Sequence, residues 1–324
     1  MKTSLKSVLK SSLIQLFPSI ARRNLALALA FCTPLALSAA DSGKTFTTPE
    51  DAVSALVAAA STDDSNALHV VFGSGAADLD NPDQVQALNE HKAFTAAFNQ
   101  SNRIIRESET RCVLEVGNNF WPFPIPIVKQ DGQWFFDTTS GKDEILNRRI
   151  GRNELSTLRV VRAYVETQRE YAAKDRDGDE VLEFAQKFGS TPGKKDGLYW
   201  PPELDGEISP LGPLAAQAQD QGYGGGSRKE GAGPEPFHGY YFKVITRQAK
   251  SAPGGKYDYV INGNMIGGFA LVAWPAEYGD SGVMTFIVNQ QGRVYQKDLG
   301  SKTAKIAAAM KEYNPDKSWT ISAD

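Results

Sequence analysis

The chain has 324 residues, with 35 basic and 38 acidic side chains, a net charge of −3 and two cysteines. Such a balance excludes an electrostatic nucleic-acid binder. The length supplies real hydrophobic cores without disulfide staples.

Residues 1–40 carry Lys2, Lys6, Lys10, Arg22 and Arg23 and no acid. The apolar run "LALALAFCTPLAL" follows from Leu25 to Leu37, and then the small residues "SAA". This is the layout of a secretory signal peptide, with cleavage expected after Ala40 or Ala39. A membrane span needs roughly 20 apolar residues; this run is shorter and is interrupted by Pro34. Arg22-Arg23 reads as an ordinary basic flank in preference to a twin-arginine signal. Removing five cations and no anion takes the net charge from −3 to −8. The expected product is periplasmic or secreted, with no transmembrane segment after cleavage and no affinity for nucleic acid. Only Cys112 remains in it; "RCVLEV" alternates in strand fashion, with Cys112 on the Leu/Val face, so a buried inert thiol is expected.

The mature start, "TFTTPEDAVSALVAAA", predicts a helix capped by Thr48, with Pro49 in its first turn. Helices are also predicted near 66–72 and 82–99. Strands are predicted at 111–117, 123–129 and 133–138, with "QDG" turning the last hairpin and Pro124 and Pro126 forcing an edge or bulge. Residues 141–152 read as a linker around a short helical piece. Asn153 then reads as the cap of a long amphipathic helix striped by Leu155, Leu158, Val161, Val165 and Ala172. A short helical run is expected at "EFAQKF", and a flexible loop at 222–236. Four strands are expected at 239–247, 268–274, 283–289 and 293–298, followed by a helix from Ser301.

The predicted class is α+β: N-terminal helices on a curved antiparallel sheet, then a long helix packed on a four-stranded antiparallel meander. Its units are 45–140 and 153–324. "TTPEDAVSALVAA" and "PIPIVKQDGQWFFD" resemble the cystatin-like, nuclear-transport-factor-like α+β cone, which implies a fold around an apolar cavity. "GYYFKVI" and "GGFALVAWPAEYGDSGVMTFIVNQQGRVYQKDLG" resemble the globular part of a type IV pilin or pseudopilin. A pilin joins its apolar helix directly to that part behind a prepilin cleavage site, whereas here a whole unit intervenes. "WPFPIPIVK", "EILNRRIGRNEL", "DRDGD" and "STPGKKDGLYWP" resemble a bacterial family known as domain of unknown function 2950. That resemblance covers nearly everything after residue 45 and implies an exported bacterial protein.

The sharpest chemical motif is "DRDGDEVLEFAQ". Counted as a calcium loop, Asp175, Asp177 and Asp179 take positions 1, 3 and 5, Val181 offers its carbonyl at 7, and Glu183 stands at 9. Position 6 wants glycine and holds Glu180; position 12 wants glutamate and holds Gln186. The competing reading is a solvated acidic turn. "GSTPGKKD" fails as a phosphate loop in spacing, and "GYGGGS" lacks the last glycine of a dinucleotide loop. His69, His91 and His238 have no metal-ligand spacing, and Glu277 with Asp280 reads as a solvated turn. Trp121, Trp134, Trp200 and Trp274 read as core or loop anchors. The functional expectation is a non-catalytic binding or envelope-assembly module, possessing at most a structural calcium and meeting another envelope protein or a small apolar ligand. The alternative is a carboxylate-dependent hydrolase near a cleft between the two units.

Overall fold

A computed structural model describes residues 43–62, 65–224 and 235–322. The expected signal peptide and most of the expected flexible loop lie outside those residues. The fold is α+β with open antiparallel sheets. No helix among the described residues is long and apolar enough to cross a membrane.

Helix α1, Pro49–Ala60, begins as its sequence demands: the Thr48 hydroxyl accepts the Asp51 N–H at 3.1 Å, and Pro49 opens the first turn. It buries Ala52, Val53, Leu56, Ala59 and Ala60. Helix α2 is Ser65–Phe72, and helix α3, Gln84–Gln100, is capped by Asp83. These helices cover a sheet of β1 (Asn102–Ser108), β2 (Arg111–Val116), β3 (Trp121–Pro122), β4 (Ile127–Gln130) and β5 (Gln133–Phe136), in the order β1-β2-β4-β5 with β3 on β2. Cys112, Leu114 and Val116 point inward and are buried, as their alternation requires. Pro124 and Pro126 keep the chain off the ladder until Ile127. Asp131 and Gly132 both take positive φ, the geometry of a type I′ hairpin. Strand β1 was not expected; its polar, exposed residues hide the alternation that marks a half-buried strand.

Between helices and sheet, Phe72 meets Phe136 at 5.3 Å and Phe94 meets Phe123 at 5.4 Å between ring centroids. These rings belong to or pack against the hydrophobic cluster of this part of the chain.

Helix α4 corrects the linker. It runs unbroken from Thr138 to Tyr171, 34 residues, or about 50 Å at 1.5 Å per residue. Residues 141–152 are its first third, and Asn153 is a fully buried interior residue instead of a cap. The actual cap is Asp137, which accepts the Ser140 N–H at 3.1 Å. Gly141 is required by packing, because a Cβ there would lie 2.7 Å from the Ile125 side chain.

After α4 the expected "EFAQKF" helix is absent and the segment is irregular. Helix α5, Gly212–Asp220, stands in the Pro/Gly-rich stretch where no helix was expected. The second large sheet is built from β6 (Tyr240–Ile245), β11 (Ala270–Pro275), β12 (Met284–Asn289), β13 (Tyr295–Asp298) and β14 (Thr320–Ile321), antiparallel neighbours in that order. The first four are the expected meander; β14 adds a fifth strand. Short pairs β7 (Arg247–Gln248) with β8 (Tyr257–Asp258), and β9 (Val260–Ile261) with β10 (Asn264–Met265), decorate it. Helix α4 packs on β11 and β12, and helix α6, Thr303–Ala309, packs on β11. Every residue of β11 is buried, as expected of a strand covered on both faces.

Two hydrophobic clusters result. One holds Leu56, Leu114, Ile127 and Phe136; the other holds Val161, Tyr164, Trp200, Phe269 and Phe286.

Candidate metal loop and a buried polar junction

Helix α4 delivers the acidic loop. Its last buried residue, Tyr171, fixes where the chain leaves the helix, and Arg176 fixes where the loop goes. The Arg176 side chain is 5% exposed and donates to Glu207 at 2.7 Å, with its guanidinium 5.3 Å from the Trp200 ring centroid. Lys174 and Lys195 also donate to Glu207, which holds its carboxyl down at about 2. With its base pinned in this way, the loop presents Asp175, Asp177 and Asp179 outward.

Carboxylate oxygens of these three aspartates lie within 4.8 Å of one another. Asp175 organises the turn: its two oxygens accept N–H groups from Gly178 at 2.7 Å, Glu180 at 2.9 Å and Asp177 at 3.2 Å. Those donors, Gly178 and then Glu180, lower its carboxyl pKa. Burial and the neighbouring Asp179 charge raise that of Asp177. Gly178 has φ +81 and Glu180 has φ +67. The position where a calcium loop wants glycine thus adopts the left-handed backbone that glycine would supply, despite its glutamate.

Beyond position 6 the loop departs from the helix-loop-helix pattern. Val181 gives its N–H to Asp179 at 2.8 Å and leads into irregular chain. Glu183 accepts the Met265 N–H at 2.8 Å; burial first, then Asp177 and Asp179, raise its carboxyl. Gln186 donates to the Gly263 carbonyl at 2.6 Å. Asn264 donates to Asp179 at 2.6 Å, and the Phe184 N–H to the Met265 carbonyl at 2.9 Å. The β9–β10 hairpin therefore takes the place of the missing second helix. Its residues lie some 80 positions downstream, which is why the sequence around the loop does not reveal them.

A second constellation lies at the middle of α4, and sequence reasoning missed it. Asp83, 3% exposed, caps α3 through the Gln86 N–H and accepts the Tyr223 hydroxyl at 2.7 Å and the Gly239 N–H at 3.1 Å. Asn153 accepts from Gln86 at 2.8 Å and donates to the Ser281 carbonyl at 2.9 Å. Arg149 joins the Leu79 and Asp80 carbonyls to Asp280, and Arg152 binds Glu90. Glu154 accepts the Val283 and Met284 N–H groups at 3.0 and 2.9 Å. Asp280 is thereby engaged with Arg149 and is not part of a freely solvated pair with Glu277. His238, with φ +50, packs against Phe237 and Tyr223 at 4.3 and 5.5 Å. Burial, helped by the charges of Arg159 and Arg152 and opposed by Asp83, pushes its imidazole down to about 4.

The one sequence signal for this junction was "EILNRRIGRNEL", dense in polar residues on what proves to be a helix interior. Gly239 closes it: a Cβ there would sit 2.6 Å from the Asn153 Nδ2 atom. Elsewhere, His69 pairs with Asp80 at 2.8 Å. Cys112 is fully buried, and burial raises its thiol, as expected for an inert cysteine.

A family described as "Protein of unknown function (DUF2950)" matches residues 43–321. No curated protein and no solved structure is significantly similar to the chain. The match spans nearly every described residue, both hydrophobic clusters and the acidic loop, and the chain belongs to the DUF2950 family.

Proposed function

We propose that the mature chain is an exported, non-catalytic binding or envelope-assembly module, stapled by a structural calcium ion in the loop 175–183. The observation that carries the metal reading is the left-handed backbone at Glu180, φ +67, beside three clustered carboxylates. Glutamate in that conformation costs about 1–2 kcal/mol, a cost that cation ligation would offset. In this reading Asp175, Asp177 and Asp179 give side-chain oxygens, Val181 its carbonyl, and Glu183 a carboxylate directly or through water. A cation would offset the burial and neighbouring aspartate charges that raise the carboxyls of Asp177 and Glu183. It would also join the end of α4 to the β9–β10 hairpin.

The two hydrophobic clusters support reading 45–140 and 153–324 as two domains that share one helix. The aromatic filling of the first cluster favours another envelope protein over a small apolar ligand as partner. Export rests on the basic flank, apolar run and "SAA" of residues 1–40. The hydrolase reading is disfavoured because Asp83, Glu154 and Asp280 each hold backbone or side-chain donors from distant segments.

Calorimetric titration of the chelator-treated protein tests the metal reading. One calcium per chain is expected, with Asp177→Asn weakening it at least about tenfold through the lost ligand charge. A featureless titration contradicts it. Sequencing of the periplasmic protein tests export, with a start near Asp41 expected and an intact Met1 contradicting it.

A further inference from the structure

The two large sheets end on β1, β5, β6 and β14, and an open sheet edge invites pairing with another strand. Three of these edges are closed or blunted. The outer side of β5 is taken by Phe46, whose N–H and carbonyl both bond Trp134 at 2.8 Å. Strand β14 is two residues long. Strand β6 is half-buried and carries Lys243 in its middle, a charge that discourages pairing. Strand β1 differs: it has seven residues, and every one except Ile104 is exposed. No described strand pairs its other side, so a row of backbone N–H and carbonyl groups is open to a further strand.

The side chains select what that strand can be. Register with β2 sets Arg103 opposite Glu115 and Ile105 opposite Val113, on the face turned away from buried Cys112 and Leu114. Arg103 donates to Glu115 at 2.6 Å on that face. Glu107 joins them there, accepting from Arg111 at 2.8 Å.

A second β1 related by a two-fold axis runs antiparallel, and residues directly opposite each other share a face, so the axis passes beside one residue. An axis at Arg103, Arg106 or Glu107 sets two like charges against each other. An axis at Ile104 sets Arg103 against Ile105 of the second copy. An axis at Ile105 sets the two Ile105 side chains together and matches Arg103 with Glu107 twice. Charges then alternate across the joint: Arg111 and Glu107 of one copy, Arg103 and Glu115 of the other.

We propose that β1 is a dimerisation edge, pairing with β1 of a second copy of this chain about a two-fold axis at Ile105 and joining two sheets into one. The bulge between Arg106 and Ser108 limits the length of the ladder. The proposal goes beyond the function given above and rests on neither the calcium loop nor the buried junction.

Sedimentation equilibrium of the purified mature protein, with a calcium chelator present, tests it. A monomer–dimer equilibrium is expected with a Kd of about 1–100 μM, since one short edge strand makes less than a full-sized interface. Ile105→Lys places two cations at the axis, at an exposed position, and should weaken the dimer at least about tenfold with the melting temperature nearly unchanged. Arg103→Glu and Glu107→Arg each turn two attractive pairs repulsive, and each protein alone should be weakened by at least about tenfold. An equimolar mixture of these two variants restores opposite charges at both pairs, and should form a heterodimer about as tight as the wild-type dimer. This rescue keeps the question open to a clear answer if Ile105→Lys does not fold. A monomer throughout, up to about 200 μM, overturns the proposal. So does a dimer that the charge changes leave intact, or a mixture of the two variants that stays monomeric.

Discussion

Asp83 and Tyr223 are 140 residues apart in sequence and 2.7 Å apart in space. The tyrosine hydroxyl donates to a carboxylate that is 3% exposed and also accepts the Gly239 and Gln86 N–H groups. This bond ties the cap of α3 to the chain before β6. Tyr223→Phe removes one of three donors from a buried charge, and the expected loss is about 1.5–3 kcal/mol by urea unfolding. An unchanged midpoint would mean that the junction is not holding these segments together.

Gly151 discriminates between a linker and a continuous helix. It lies inside α4, has nothing within 4 Å of a built Cβ, and is exposed. Glycine within a helix costs about 0.5–1 kcal/mol relative to alanine. Gly151→Ala should therefore stabilise the protein by that amount, seen as a higher melting temperature. A flexible connection at 141–152 would give no gain.

His238 sets an acid limit. Its imidazole ordinarily titrates near 6.5 and is pushed down to about 4 in the fold. Between those values the unfolded chain binds a proton that the folded chain refuses. Stability contributed by this group is thus lost as pH falls from about 6.5 to about 4, up to about 3 kcal/mol at about 1.4 kcal/mol per pKa unit. Asp196 and Glu207, held down near 2, lose their contributions only below the ordinary carboxylate range. Denaturation at several pH values should show His238→Gln with a flatter dependence between 4 and 6.5 than the wild type. Parallel curves for the two proteins would exclude this histidine as the cause.

Glu180 occupies a backbone state that suits glycine, φ +67, and its N–H donates to Asp175. Glu180→Gly keeps that N–H and removes the side-chain penalty of about 1–2 kcal/mol, against which the added unfolded-state entropy of glycine sets about 0.5–1. The chelated protein should gain up to about 1 kcal/mol, and calcium should bind at least as tightly as before. A clear loss of stability would show that the left-handed turn is not the ground state.

Local patterns carried much of the fold. Thr48-Pro49, "QDG" and the alternation at Cys112 are decided by neighbours a few residues away, and the structure keeps all three. The linker at 141–152 failed because Gly141 and Gly151 read as breakers. Gly141 is instead demanded by Ile125, a tertiary contact, and Gly151 is tolerated on an exposed face. "EFAQKF" failed because its helical spacing loses to pairing with Met265 and Gly263. Strand β1 gave no apolar alternation to read. For the sites, the three aspartates were legible as one motif within five residues. The junction was not, since Asp83, Asn153, Tyr223, His238 and Ser281 meet only after five separate segments have folded together.

The calcium staple is tested most directly by paired melting curves, with chelator and with millimolar calcium, on the wild type and on Asp175→Ala. An ion that binds only the folded loop adds about 2.7 kcal/mol at 100 times Kd. A clearly higher melting temperature with calcium is expected for the wild type, and no difference for Asp175→Ala, in which the carboxylate that organises the turn is gone. Coincident wild-type curves would contradict it and leave the loop as an acidic turn held by its own backbone.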